Sequence, residues 1–241
     1  MILKSDRFQT IYRVTEKCGT TSFYQAILNW HGFKPSGPPR VYLRHNRREI
    51  AKTGLIEENV KSENLESYYD RHRDYIWFST IRHPVSRIQS TYRNKLNRYA
   101  RRFKYAAYLR GKFRQFLSQP KSWSDMNRLS SNIGKYISFA EFIEGLTVNG
   151  IDWDPHYMSL TQLLRPDVVK YDCLLRLRTL GADYQKLLGI MEERGICTKD
   201  FEQLPILNPS SSGNGTKSEL TESLKSKIAQ LYSADILAFW N

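Results

Sequence analysis

The segment Tyr75-Ile-Trp-Phe-Ser-Thr-Ile81 is nearly continuous in apolar residues and runs straight into Arg82-His83-Pro84. A run of this kind fits a strand buried on both faces, as in a parallel sheet covered by helices. Pro84 suits the first turn of a following helix. A second such unit lies upstream. Gln9-Thr-Ile-Tyr-Arg-Val-Thr15 alternates and is rich in β-branched residues, so it predicts a strand, and Thr20 or Thr21 can cap a helix to about His31. Gly32, Pro35, Gly37, Pro38 and Pro39 then break the chain.

Further along, Arg40–Arg44 predicts a short second strand and residues 46–74 helix and loop. Ser138-Phe-Ala-Glu141 is a capping box opening a helix to Leu146. Val168–Leu175 predicts another strand, followed by a helix from about Gly181 to Arg194, and Thr216–Glu219 caps a closing helix to about Phe239. The alternation argues for an α/β fold: a central parallel sheet flanked by helices. At 241 residues the expectation is one domain over 1–241, with room for a helical appendage.

Both predicted strand ends carry groups suited to anions. After the first comes Glu16-Lys17-Cys18-Gly19-Thr20-Thr21-Ser22. Amides at a helix N-terminus bind oxyanions, Gly19 admits close approach, Lys17 adds a full charge, and Thr20, Thr21 and Ser22 add hydroxyls. This is not the ATP-binding P-loop, because the spaced first glycine is missing and the lysine precedes the glycine. After the second strand comes Arg82, with Ser90 eight residues on. A guanidinium fork plus a hydroxyl suits a phosphate monoester. In a doubly wound sheet ligands bind at the carboxyl ends of strands. A nucleotide-type ligand with two separate acidic groups follows.

The charge distribution narrows the partner. The net charge is +13, and twelve of the 37 Lys and Arg fall between Tyr75 and Ser124, where no Asp or Glu occurs. Such a field concentrates acidic partners. Cys18, Cys173 and Cys197 form neither a metal-ligand spacing nor a disulfide framework, so no metal is expected and a reducing compartment is the simpler inference. Nothing approaches a membrane-spanning apolar run, and Met1–Asp6 turns polar too soon for a signal peptide. The expectation is a soluble, cytoplasmic chain without an integral membrane segment. The alternative is a lumenal catalytic domain trimmed of its anchor. Oligomeric state is not legible.

The order of these motifs resembles the sulfotransferases that use 3′-phosphoadenosine 5′-phosphosulfate (PAPS), specifically their carbohydrate, membrane-type branch. The likeness is carried by Phe78–Lys95, with Arg82-His-Pro84, Arg87, Ser90, Tyr92 and Asn94-Lys95. Weaker matches are Ser138–Ile143, Asp154-Pro-His156, Tyr171-Asp172 and Tyr232–Phe239. The resemblance implies a P-loop-like α/β domain with PAPS as co-substrate. Lys17, with the amides and hydroxyls from Cys18 and Gly19 to Ser22, would hold the 5′-phosphosulfate, and Arg82 and Ser90 the 3′-phosphate. The family usually has proline before the lysine. Glu16 stands there in this chain, and it must point away or pair with a cation.

Sulfuryl transfer needs an in-line acceptor hydroxyl, a base, and charge stabilisation on the departing phosphate oxygen. Lys17 is the candidate for the last. His45, after the expected second strand and on the same rim, is the candidate base, with Glu49 the alternative. His156 is a further candidate for the acceptor cleft. Ser210–Thr216 with Lys217 could close over the nucleotide. The expected reaction is transfer from PAPS to a hydroxyl of an acidic glycan. A basic nucleic-acid-binding module, for which the Arg/Tyr stretch would grip phosphate and stack bases, explains the charge but not the two grips. A kinase lacks its phosphate loop and magnesium carboxylates. An inactive nucleotide-binding relative is the remaining alternative.

Overall fold

The computed structural model describes residues 1–93, 138–152, 154–201, 203–205 and 220–240. They form two compact units, one from Met1–Arg82 with Leu160–Ser211 and the other from His83–Ser159 with Ser212–Asn241.

The first unit is built on a five-stranded sheet. Its strands are β1 (Ile2–Ser5), β2 (Thr10–Arg13), β3 (Leu55–Glu58), β4 (Ile76–Ile81) and β5 (Cys173–Arg176), in the order β3-β1-β2-β4-β5. β2 pairs parallel with β4, and β4 with β5; β1 runs antiparallel to both β2 and β3. The expected parallel sheet is thus the core of a mixed one. Every residue of β2 and β4 is buried, as the apolar runs require. Tyr12 and Phe78 project to one face, where Tyr12 stacks on Phe23 and on Phe78, each at 5.2 Å. Ile11 and Trp77 project to the other, with Ile2, Leu65, Tyr68 and Val169. The first helices of this unit are α1 (Thr20–Trp30), α2 (Pro39–His45), α3 (Arg47–Ala51) and α4 (Leu65–Arg71). The first core face is closed by α1 and by the helix Leu180–Glu193, the second by α4.

Several expectations give way here. Arg40–Arg44 is helical, not a strand. Pro39 sits in the first helical turn, and Val41 and Tyr42 amides both donate to Pro38 O at 3.0 Å. A strand would place Val41 and Leu43 on one face. Instead Pro39 and Leu43, four apart, are buried and Val41 is exposed. Two strands were not expected at all. β1 and β3 are short and partly polar, and Gly54 (φ 83) sets their pairing: its carbonyl accepts from Asp6 N at 2.8 Å, and a Cβ would meet Arg7 N at 3.2 Å. The strand expected over 168–175 is confined to Cys173–Arg176. Val168 and Val169 amides instead close a turn on Arg165 O, at 2.9 and 2.8 Å.

The second unit packs α5 (Pro84–Thr91), α6 (Phe139–Asn149) and the first of two C-terminal helices around Ile88, Tyr92, Phe142, Ile143, Tyr157 and Ile228. In chain order α7 (Leu160–Leu164) and α8 (Leu180–Glu193) belong to the first unit, and α9 (Glu222–Leu231) and α10 (Ser233–Phe239) to the second. The capping box at Ser138 forms as expected, Glu141 N donating to Ser138 Oγ at 3.2 Å and Ser138 N to Glu141 Oε2 at 2.9 Å. The closing helix starts later than expected, because Thr221 supplies the cap to Leu224 N. It also breaks at Tyr232, whose buried hydroxyl donates to Tyr157 O at 2.5 Å. The continuation of α5 past Asn97 and the Thr216–Glu219 box lie outside the described residues.

One buried histidine gives this fold a pH dependence. His31 Nδ1 lies 3.0 Å from Thr53 Oγ1, whose own proton goes to Ile50 O, so Nδ1–H is the donor there. Nε2 then accepts from Ser5 Oγ at 2.9 Å. Burial, with Arg7 nearby, lowers the His31 pKa to about 4. An unfolded histidine titrates near 6.5. Between these values the unfolded chain binds more protons. Stability present above pH 6.5 is therefore lost as pH falls towards 4, by about 3 kcal/mol. Urea unfolding at pH 7 and pH 4.5 is expected to show this loss, and His31→Gln to reduce it.

Candidate functional site

The carboxyl ends of β2 and β4 lie side by side, with Arg13 in register with Ser79. Three buried hydroxyls lock them together beyond that point. Thr15 Oγ1 donates to Thr80 O at 2.5 Å, and Tyr12 OH and Thr80 Oγ1 are 2.9 Å apart. The chain leaving β2 then forms a tight loop into α1. Lys17 (φ 66) and Gly19 (φ 88) both take the left-handed conformation. A Cβ on Gly19 would lie 3.0 Å from Leu177 Cδ1, so both conformation and space call for glycine. For Lys17 the same conformation is a local strain of about 1–2 kcal/mol, which the surrounding contacts hold in place.

At the start of α1, the first helical bond is made by Ser22 N–H to Gly19 O, at 3.0 Å. The Thr20 and Thr21 amides precede it and end the helix with partial positive charge. The side chains divide. The Thr20 hydroxyl donates its one proton to Thr15 O at 2.6 Å, so it braces the loop and has only lone pairs left over. Cys18 is fully buried, with Sγ 3.5 Å from Glu16 O, so only its backbone can face an anion. Ser22 is buried at 4 % exposure; Lys17 and Thr21 are half-buried.

Arg82 reaches this loop from the end of β4. Its Nη1 donates to Lys17 O at 3.2 Å. Lys17, the α1 N-terminus and Arg82 therefore stand at one end of the sheet, as the two-grip pattern anticipates. Ser90 belongs to the second unit, half-buried in the last turn of α5. On that helix the buried Arg87 donates to Met158 O at 2.7 Å and to Pro155 O at 2.9 Å, and the one proton of Thr91 Oγ1 is shared between Arg87 O at 3.1 Å and His156 O at 3.2 Å. His156 is itself tied through Nδ1 to the buried Asp154, at 2.8 Å. Lys217 lies outside the described residues.

Glu16 has the cation it requires. Its Oε1 is 3.0 Å from Arg40 Nη1. Arg40 also lies 3.8 Å from Glu57 Oε1 and 5.6 Å from the centre of the Tyr24 ring, while Tyr24 OH donates to Glu57 at 2.7 Å. Burial opposes the Arg40 charge, but Tyr24, Glu16 and Glu57 outweigh it and hold its pKa above the ordinary value. The sequence did not single out Arg40. Its signal was indirect: a carboxylate inside an anion loop needs a cation.

His45 does not follow a strand. It is exposed at the C-terminal end of α2, the helix that carries Arg40. Its placement on the strand rim falls with the strand expected at 40–44. Glu49, on α3, is exposed and engages Lys52 Nζ with both oxygens at 2.9 Å.

The chain is similar to carbohydrate sulfotransferase 14 of Danio rerio, 24 % identical over 193 residues that cover 78 % of this chain and 47 % of that protein. It is likewise similar to the Homo sapiens protein of that name, 25 % identical over 195 residues covering 78 % of this chain and 45 % of the relative. The chain thus spans a little under half the length of these relatives. No solved structure gives a significant match. A sequence profile described as "Sulfotransferase family" matches residues 1–240, nearly the whole chain. The chain belongs to the sulfotransferase family.

Proposed function

We propose that this chain binds PAPS at the carboxyl edge of its sheet and transfers the sulfuryl group to a hydroxyl of an acidic glycan. The observation that carries the reading is the Arg82 guanidinium bonded to the carbonyl of Lys17 at 3.2 Å, which gathers two cations and a helix N-terminus in one place. The residues present fit such a ligand: the Thr20 and Thr21 amides at the start of α1 add donors without a desolvated charge, while the missing side chain of Gly19 makes room for Leu177 and not, as the sequence suggests, for the anion. PAPS would supply an activated sulfuryl group; the protein supplies position and field. Lys17 and the α1 amides hold the phosphosulfate end. Arg82 holds the 3′-phosphate. Lys17 stabilises the charge that builds on the departing oxygen.

For the base we retain His45, on a new ground. Its helix is tied to the loop by the Arg40–Glu16 pair, and His45 stands five positions after Arg40, or about 7.5 Å of helix rise. Glu49 is the weaker choice because Lys52 already holds its carboxylate. An acidic acceptor fits the exposed Arg44, Arg47 and Arg48, which follow one another on α2 and α3, with Glu49 beside them in sequence and Glu57 3.9 Å from Arg44 Nε. Most of the acid-free basic stretch lies outside the described residues.

Calorimetry with adenosine 3′,5′-bisphosphate tests the reading. Micromolar or tighter binding is expected. Arg82→Ala should weaken it roughly 10- to 100-fold, the equivalent of one charge-assisted bond. Equal binding of ATP, or no effect of the substitution, would overturn the donor assignment. Labelled-sulfate transfer to a panel of acidic and neutral glycans then tests the acceptor class, with His45→Ala expected to lose turnover at unchanged bisphosphate affinity.

A further inference from the structure

Glu16 is the one group of the loop that works against an anionic ligand. It immediately precedes Lys17, and a carboxylate there opposes any phosphate or sulfate brought to the α1 N-terminus. Its surroundings are organised around that problem. Arg40 is held in place: about one-third of its side chain is exposed, and the guanidinium lies over Tyr24 and near Glu57. Yet its buried Nε makes no hydrogen bond, being 3.8 Å from Glu57, while Nη1 meets Glu16 at 3.0 Å. The fork is thus turned to serve Glu16 rather than to satisfy itself. Arg44 Nε, 3.9 Å from Glu57 Oε2, completes the group, and the formal charges of Glu16, Arg40, Glu57 and Arg44 cancel.

We propose that Arg40 is a positioning residue for the donor loop. It holds the Glu16 carboxylate as an ion pair on the α2 side, so that Lys17, Arg82 and the α1 amides meet an anion without an uncompensated negative charge beside them. The inference rests on the donor reading given above. It makes Glu16 and Arg40 a coupled pair: neither is expected to touch the ligand, and each offsets the charge of the other.

A double-mutant cycle read by calorimetry with adenosine 3′,5′-bisphosphate tests it. Arg40→Gln exposes the carboxylate and should weaken binding about tenfold, with the deficit shrinking as salt is raised. Glu16→Gln leaves the arginine charge unopposed and should tighten binding about threefold. The double variant Glu16→Gln/Arg40→Gln should return to within about twofold of the wild type. A merely structural role for Arg40 predicts otherwise: the double variant would bind as weakly as Arg40→Gln, or salt would not matter, and either result overturns the proposal. If circular dichroism shows Arg40→Gln unfolded, Glu16→Gln decides alone; tighter binding supports the proposal, and unchanged or weaker binding overturns it. A wild type that does not bind the bisphosphate sinks the donor reading itself. A wild type that binds, with Arg40→Gln unchanged, sinks only the role of Arg40.

Discussion

Lys17→Ala is expected to lower sulfuryl transfer about 10²- to 10³-fold at saturating donor, the usual loss when one preorganised stabiliser of developing charge is removed. Affinity for adenosine 3′,5′-bisphosphate should fall far less, because the ammonium contributes most as the departing oxygen gains charge. Folding should hardly change. Lys17 is half-buried and already strained at φ 66, and alanine in the same conformation bears the same penalty. The loop keeps its other supports, Thr20 to Thr15 O at 2.6 Å and Arg82 to Lys17 O at 3.2 Å, neither of which uses the lysine side chain. Transfer of labelled sulfate and thermal unfolding, measured on the same preparation, separate the two effects. A variant that transfers sulfate at the wild-type rate would remove Lys17 from the chemistry.

The second large effect is expected on stability, from Arg87→Ala in the other unit. Arg87 is 1 % exposed and donates to the carbonyls of Met158 and Pro155 at 2.7 and 2.9 Å. Truncation leaves both oxygens without this donor and opens a cavity, a loss of about 3–5 kcal/mol. Arg87→Lys keeps the charge but not the fork, so it should recover only part of the loss. Denaturant unfolding gives both numbers. Because Thr91, one turn on, holds His156 O at 3.2 Å, the loop 154–158 should loosen at the same time. A change below about 1 kcal/mol for Arg87→Ala would show that the guanidinium is not what holds that loop.

What could be recognised beforehand follows from how each segment is stabilised. β2 and β4 are buried on both sides, so their composition alone marks them, and α1 and α5 are punctuated by Gly19 and Pro84. β1 and β3 are four residues each, with Lys4, Ser5, Glu57 and Glu58 among them, and only their partners make them strands. At 40–44 an apolar Val-Tyr-Leu suggested extension, but the proline start and the single buried Leu43 decided for a helix. The conjunction of Lys17 with Arg82 was legible because each follows a strand whose burial can be read. The pairing of Glu16 with Arg40 was not, because a chain rich in arginine does not say which one arrives. The base remained open for a similar reason: His45 owed its assigned place to a strand that does not form.

The wall behind Gly19 carries a consequence for the order of events as the chain folds. That wall is Leu177, with Leu180 behind it at 3.8 Å from the same Cβ position, just past β5. β5 in turn joins the sheet through β4 alone, from Phe78 opposite Cys173 to Ile81 opposite Arg176, a pairing of segments far apart in the chain. Closing so long a connection is slow compared with joining β1 to β2 through their short link. The wall that backs the 16–22 loop is therefore expected to form late, after the loop and α1 have been made. A nascent or nicked molecule lacking its distal third would have the right residues at 16–22 and nothing to press them into shape.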